Sequence, residues 1–277
     1  MKGVAFGRTT FETLLCDRPA AGVARITLNR PGAMNAYSFG MTQELQEAIG
    51  TFRDDDALKV LILTGAGERA FCTGGDISGS EPEHSAAVAA APMGHGREMR
   101  EGMQAVVLAL RRLDKPSIAM VRGYAVAGGL ALACACDFRF AAETAKLGDT
   151  SGKVGLLPDE GGAWLFPRLM GLDRALKMTL LSEIYDAATA AGLGLVTEVV
   201  ADAALEERTL EFASALATRA PLAVRLSKTM MQRAGQISLE ESLIDAQHAV
   251  MIANPSADVR EGIAAFREKR SPRFEGR

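Results

Sequence analysis

An α/β fold with parallel strand pairing is the class this 277-residue sequence predicts, and three observations predict it. Apolar runs of strand length alternate with stretches of helical period from Val23 to Ala142, the pattern that parallel sheets with crossover helices produce. Two glycine-bearing turns, Phe71-Cys72-Thr73-Gly74-Gly75-Asp76-Ile77 and Gly123-Tyr124-Ala125-Val126-Ala127-Gly128-Gly129, each follow such a run. Beyond about Ala201 the glycines thin out and helical periodicity alone remains.

The elements follow in order. Val23-Ala24-Arg25-Ile26-Thr27-Leu28 alternates like a half-exposed strand and ends at the turn signal Asn29-Arg30-Pro31-Gly32. Met41, Leu45, Ala48, Ile49 and Phe52 then recur at helical spacing, with Ser38 as N-cap and Asp54-Asp55-Asp56 as a solvated end. Lys59 to Leu63 is a strand feeding the first glycine turn. Ser78 to Arg97 is rich in Ala, Gly, Ser and Pro, has no clear period and contains His84 and His95. It reads as a mobile loop, either a plain surface excursion or a substrate lid. Met103, Val106, Val107, Leu110 and Leu113 form the next helical stripe, and Ser117 to Val121 is the strand feeding the second turn. Gly128 to Cys136 reads as a short buried helix and Phe138 to Ala142 as a further strand. In the C-terminal region three successive helices are expected around Leu205–Leu216, Val224–Met231 and Leu239–Ile252.

Composition narrows the function. Hydrophobic residues make up 48% and charged residues 23%, an ordinary globular profile, and the net charge of -3 provides no field to concentrate a polyanion. Nucleic acid is therefore not an expected partner. Four cysteines (Cys16, Cys72, Cys134, Cys136) lack Cys-x-x-Cys spacing and there are only three histidines, so no metal site is expected and the cysteines read as small buried residues. Met1 to Thr10 lacks a basic start followed by an apolar run, and no stretch reaches the length of a membrane span. A soluble, cytoplasmic protein is the expectation.

A glycine turn after a strand often only permits positive φ or a close backbone approach. Two of them, at the same edge of one sheet, can present unpaired backbone N–H groups, which stabilise a negative oxygen. Placed between Asn29-Arg30-Pro31-Gly32-Ala33-Met34-Asn35-Ala36 and Gly155-Leu156-Leu157-Pro158-Asp159-Glu160-Gly161-Gly162, the two turns give a chain that resembles the enoyl-CoA hydratase/isomerase family, the crotonase superfamily, over nearly its whole length. The ending Phe266-Arg267-Glu268-Lys269-Arg270-Ser271-Pro272-Arg273-Phe274 is also similar to the family's terminal pattern.

The resemblance implies a spiral ββα core with the acyl-CoA site over residues 1–200. It implies a helical oligomerisation region over 201–277 that covers the site and builds trimers, often stacked into hexamers. It also implies that the N–H groups of Gly75 and Gly128 grip a thioester carbonyl. Gly128 gains from its place at a helix N-terminus, where the macrodipole favours negative charge. Thr73 matches a position whose backbone meets the adenine ring. Thr73, Gly74, Asp76, Ala131, Ser151 and Trp164 make up the expected substrate-binding set, although a tryptophan at the Trp164 position is more often a core residue of its helix. Coenzyme A enters as part of the substrate and no further cofactor is implied.

The departures matter as much. Hydratases of this family hold water between two glutamates, whose positions match Ala131 and Ser151 here, and neither supplies the acid or base for adding water in the usual way. Asp159 matches the aspartate with which the family's 3-enoyl-CoA to 2-enoyl-CoA isomerases and dienoyl-CoA isomerases shuttle a proton. Its structural alternative is a cap on the helix starting near Gly161, and Glu160 is the neighbouring rival. Asp149 reads as a loop-satisfying carboxylate. Isomerisation leads. The other readings are a hydratase, hydrolase or other lyase using Glu160 or a loop residue, and a catalytically silent scaffold that binds acyl-CoA.

Overall fold

The computed structural model describes Phe6 and residues 11–277. The N-terminal segment read above as lacking a leader lies, Phe6 apart, outside the described residues. Strands β1 (Leu14–Ala20), β2 (Val23–Leu28) and β3 (Val60–Gly65) start one sheet, with helix α1 (Phe39–Asp54) between the last two. The Ser38 side chain accepts from the Met41 N–H and caps α1 as its residue type predicts.

The chain then repeats a unit of two strands. Strand β4 (Ala70–Cys72) follows β3 and leads through helices α2 (Pro82–Ala90), α3 (Gly94–Glu101) and α4 (Met103–Arg111) to β5 (Ser117–Val121). Next come β6 (Tyr124–Val126), α5 (Gly128–Ala135), β7 (Phe138–Ala142) and β8 (Lys146–Gly148), then α6 (Gly162–Met170) and α7 (Leu172–Leu181). β9 (Ile184–Asp186), α8 (Ala187–Gly192) and β10 (Glu198–Val200) complete the strands. In the pairs β3/β4, β5/β6 and β7/β8 the first strand joins a six-stranded sheet in the order β1-β2-β3-β5-β7-β10 and the second a four-stranded sheet in the order β4-β6-β8-β9, while β9 joins the smaller sheet and β10 the larger. Pairing is parallel except at β1–β2 and β8–β9. Each turn of this ββα spiral therefore crosses between two sheets, and the crossings β4–α2 and β6–α5 carry the two glycine turns.

Two sequence expectations are corrected. Ser78 to Arg97 is not a structureless loop: α2 and the start of α3 occupy it, but Val88 is the only buried residue of α2 and Gly94 the only one of α3, so no apolar stripe announces either helix. The strand that directly feeds the first turn is β4, whose three residues are too few to show a period.

Helices α9 (Leu205–Ala217), α10 (Pro221–Ala234), α11 (Leu239–Ala253) and α12 (Ala257–Glu268) end the chain. α9, counted above with the helical region, buries Leu205, Thr209, Ala213 and Ala217 and packs across β1, β2, β3, β5 and β7. It closes the core. α10 and α11 bury no residue fully. Among the described residues no helix is long and apolar enough to cross a membrane.

Candidate active site

Asn35 folds the first wall of the site. It is fully buried in the left-handed region (φ 54°), its Nδ2 donates to the carbonyls of Ala66 (3.0 Å) and Ala70 (2.7 Å), and its Oδ1 accepts from the Arg30 N–H. Asparagine tolerates that backbone, and its amide spends three hydrogen bonds tying the Arg30 turn to β4. Tyr37, two residues on, is thereby laid alongside the first glycine turn. Its N–H donates to the Gly74 carbonyl (2.9 Å) and its carbonyl accepts from the Asp76 N–H (2.8 Å). In this parallel bridge Gly75 is the residue between the two bonds, so its N–H points away from Tyr37's strand.

The second turn leaves β6 at Ala127, whose N–H donates to Gly148 (3.1 Å), and Gly128 opens α5. The two turns touch: a Cβ on Gly74 would lie 3.3 Å from the Gly128 nitrogen. Among the described residues neither the Gly75 nor the Gly128 N–H donates a hydrogen bond. A Cβ on Gly128 would collide with the Glu160 carboxylate and the Tyr37 hydroxyl, and one on Gly129 with the Cys72 carbonyl. Only glycine lets the turns, the tyrosine and the glutamate meet here.

A cavity of about 430 Å³ opens over this meeting point, lined by Tyr37, Gly75, Asp76, Ser151, Asp159 and Glu160 among others. Glu160 is buried, and its Oε1 accepts from the Tyr37 hydroxyl at 2.6 Å. Its Oε2 is buried without a hydrogen-bond partner among the described residues. Desolvation pushes the Glu160 carboxyl above the ordinary glutamate value, against the bond from Tyr37, which favours the ionised form. Burial and the neighbouring carboxylate push the Tyr37 hydroxyl well up, so it stays a donor. Asp159 is exposed at the rim, where its backbone carbonyl accepts from Gln104. It does not cap α6, whose N-cap is Gly161 with no side-chain cap bond.

The other expected residues divide. Asp76 is ionised and committed: despite burial, hydrogen bonds from Ser78, Ser80 and Arg30 hold its carboxyl well below the usual carboxylate range. Thr73 lines the cavity and donates to the Met34 carbonyl, whereas Gly74 acts through the backbone carbonyl that holds Tyr37. Ser151 lines the cavity and donates to Asp149 Oδ1, so Asp149 satisfies its loop as expected, with Oδ2 left buried and unpartnered among the described residues. Two expectations need correction. Ala131 is fully buried inside α5 and does not line this cavity. Trp164 is 40% exposed, so it is no core residue, and it lines an adjoining cavity instead.

Tyr37 and His84 were not singled out from sequence for this site. The signal for Tyr37 was a large polar side chain between the turn motif ending at Ala36 and the Ser38 cap. His84, on α2, lines the cavity, stacks on Phe39 (4.4 Å between ring centroids) and contacts Glu98 through Nε2 at 2.9 Å. Only the unseen helix fixes it there. His95 and His248 are exposed. Burial raises the Cys72, Cys134 and Cys136 thiols, to about 12, 11 and 12, which makes them inert at neutral pH. Among the described residues no group of three or more His, Cys, Asp or Glu is placed to hold a metal ion.

Residues 18–277 match the family model described as enoyl-CoA hydratase/isomerase. The chain belongs to the enoyl-CoA hydratase/isomerase family. It is 37% identical over 254 residues to (E)-benzylidenesuccinyl-CoA hydratase of Thauera aromatica, covering 92% of this chain and 96% of that protein. It is 35% identical over 260 residues to 1,2-epoxyphenylacetyl-CoA isomerase of Escherichia coli, again covering 92% and 96%. The crystal structure of an enoyl-CoA hydratase from Bacillus anthracis superimposes with a TM-score of 0.88 at 33% identity, over 96% of this chain and all of that one. The ββα spiral is thus the crotonase fold, and an acyl-CoA thioester is the substrate class consistent with the family.

Proposed function

We propose that this enzyme moves a double bond in an acyl-CoA, converting a 3-enoyl thioester to its 2-enoyl isomer. The observation that carries the reading is the buried pair Tyr37–Glu160, packed against Gly128, with one carboxylate oxygen unpartnered. The thioester carbonyl lies between the N–H groups of Gly75 and Gly128. Glu160 Oε2 removes a proton from the α-carbon, and the electron pair moves onto the carbonyl oxygen, where the two donors and the α5 dipole stabilise the dienolate. The same carboxyl returns the proton at the γ-carbon, which restores the carbonyl and leaves the double bond between the α- and β-carbons.

One proton is taken and one returned, so no metal, redox cofactor or bound water enters the balance. Coenzyme A serves only as the substrate's handle. Glu160 is favoured over Asp159 because it is buried beside Gly128, whereas Asp159 stands at the open rim. Helices α10 to α12 are proposed to pair with further copies of the chain, as trimers or hexamers.

A second reading, hydration, is favoured by the His84–Glu98 contact on the same cavity wall, which supplies a second acid–base group in place of the glutamates absent at Ala131 and Ser151. The relatives bear both names, one a hydratase and one an isomerase. Incubation with a 3-enoyl-CoA and, separately, with a 2-enoyl-CoA in labelled water decides between them. Isomerisation gives 2-enoyl-CoA with no oxygen incorporated, and Glu160→Gln lowers kcat by about 10²–10⁴, the usual contribution of a positioned base. No turnover of the 3-enoyl-CoA, with labelled 3-hydroxyacyl-CoA formed from the 2-enoyl-CoA, overturns the isomerase reading, and full activity in Glu160→Gln removes that residue from the mechanism.

A further inference from the structure

Behind Asp159 and Glu160 a second cavity of about 660 Å³ opens between α4, the start of α6 and α10. It shares those two residues with the glycine cavity, so the two cavities adjoin at the carboxylate proposed as the base. Its walls carry Arg111, Arg112, Trp164, Thr229, Gln232 and Arg233. Val107, Leu108 and Leu165 line it as well and suit an apolar stem, while a guanidinium among them is a group that a methyl-ended acyl chain does not call for.

Arg111 is the telling residue. It is half-buried, and among the described residues its side chain donates no hydrogen bond and meets no carboxylate. The neighbouring cations are already occupied: Lys228 pairs with Asp137, Arg233 with Asp245, and Arg168 donates to the Trp164 carbonyl while lying 3.8 Å from that ring's centroid. Arg111 has only the Trp164 face, 5.7 Å from the ring centroid. Its guanidinium has five donors that an aromatic face does not fully satisfy, and with no protein acceptor they are left to water or to an incoming anion. Arg112, beside it, likewise shows no carboxylate partner among the described residues. The nearest acids, Asp159 and Glu160, stand at the neck toward the glycine cavity rather than paired with Arg111.

We propose that this cavity is a subsite for an acyl chain ending in a carboxylate, held in a charge-assisted fork by Arg111 with Trp164 against its methylene stem. The inference rests on the glycine cavity being the acyl-CoA site and adds the chemical class of the acyl group. The enzyme then prefers dicarboxylic monothioesters to their methyl-ended counterparts, because only a carboxylate end gives the Arg111 guanidinium an anionic partner.

Trp164 is the only tryptophan in the chain and lines this cavity, so its fluorescence reports when the cavity fills. The test titrates the full-length protein with two saturated, unreactive pairs, adipoyl-CoA against hexanoyl-CoA and suberoyl-CoA against octanoyl-CoA, with free coenzyme A as reference. The expected result is that at least one carboxylate-ended member binds tenfold or more tightly than its partner. Arg111→Met should erase that preference while leaving the affinity for the methyl-ended member within about twofold. A methyl-ended member binding as tightly as its partner in both pairs overturns the proposal. So does an equal loss of free coenzyme A affinity in Arg111→Met, which would assign the arginine to the coenzyme's phosphates. If no acyl-CoA binds more tightly than coenzyme A itself, the acyl-site reading falls and the subsite falls with it.

Discussion

A hydroxyl bonded to a buried carboxylate favours the ionised form, so Tyr37 works against the burial that raises Glu160. A base must be ionised to accept a proton, and activity therefore falls as pH drops through the raised Glu160 value, with an acidic limb above the ordinary glutamate range. Removing the donor in Tyr37→Phe takes away a contribution that lowers this value. The limb should move further toward neutral pH. The plateau kcat should drop roughly ten- to a hundredfold, since Oε1 is no longer held and Oε2 loses its aim, while KM changes little. A pH–rate profile of the variant checks this, and a limb that stays put or moves to lower pH defeats the role given to Tyr37. The lesson for reading sequence is specific at this scale. Asp159 and Glu160 are adjacent, and no periodicity decides which of two successive loop residues turns inward. The decision comes from Gly128 and Tyr37, which approach the 160 side chain from distant parts of the chain.

At the scale of elements, the N-terminus of α5 is where sequence and structure agree most closely, because strand β5, the glycine turn and the apolar run after it all lie within one short segment. The same locality explains what was not legible. β4, β6 and β8 have three residues each and exist through pairing with one another, and α2 and α3 turn almost no apolar face inward. Neither kind of element leaves a period to read. The joint between β4 and α5 is also the tightest contact beside the site. A methyl group on Gly129 meets the Cys72 carbonyl, a backbone atom that moves only if β4 moves, and β4 carries the Gly75 turn. Gly129→Ala should thus separate the two amide donors. We expect kcat to fall by about 10²–10³, the cost of losing one oxyanion donor, together with a lower Tm. Thermal unfolding and initial rates measure both, and a variant with near-normal kcat would mean that the donors tolerate that shift.

For the whole molecule, the question is what holds α11 in place. It has 15 residues, none fully buried, and among the described elements its main packing is against α10, which also buries none. A helix of this length is marginal in water by itself, capping box at Ser238 notwithstanding. Its apolar residues face outward: Leu239 is 76% exposed and Met251 76%, and Phe266 on α12 is 86% exposed. Exposed apolar residues concentrated on successive helices mark an interface rather than ordinary scatter. A second group, Leu172, Leu180 and Leu181, lies exposed on α7 of the spiral, which gives a copy of the chain two surfaces to match. If the surfaces pair head to tail, closure makes a ring, the trimer being the smallest beyond a dimer. Light scattering on the purified protein should then give a mass of three or six chains. Leu243→Asp combined with Met251→Asp should shift that mass toward one chain and make Tm depend on protein concentration, since dissociation and unfolding become linked. A wild-type protein that runs as a monomer across the micromolar range, with α11 still helical, would show that α10 alone stabilises it.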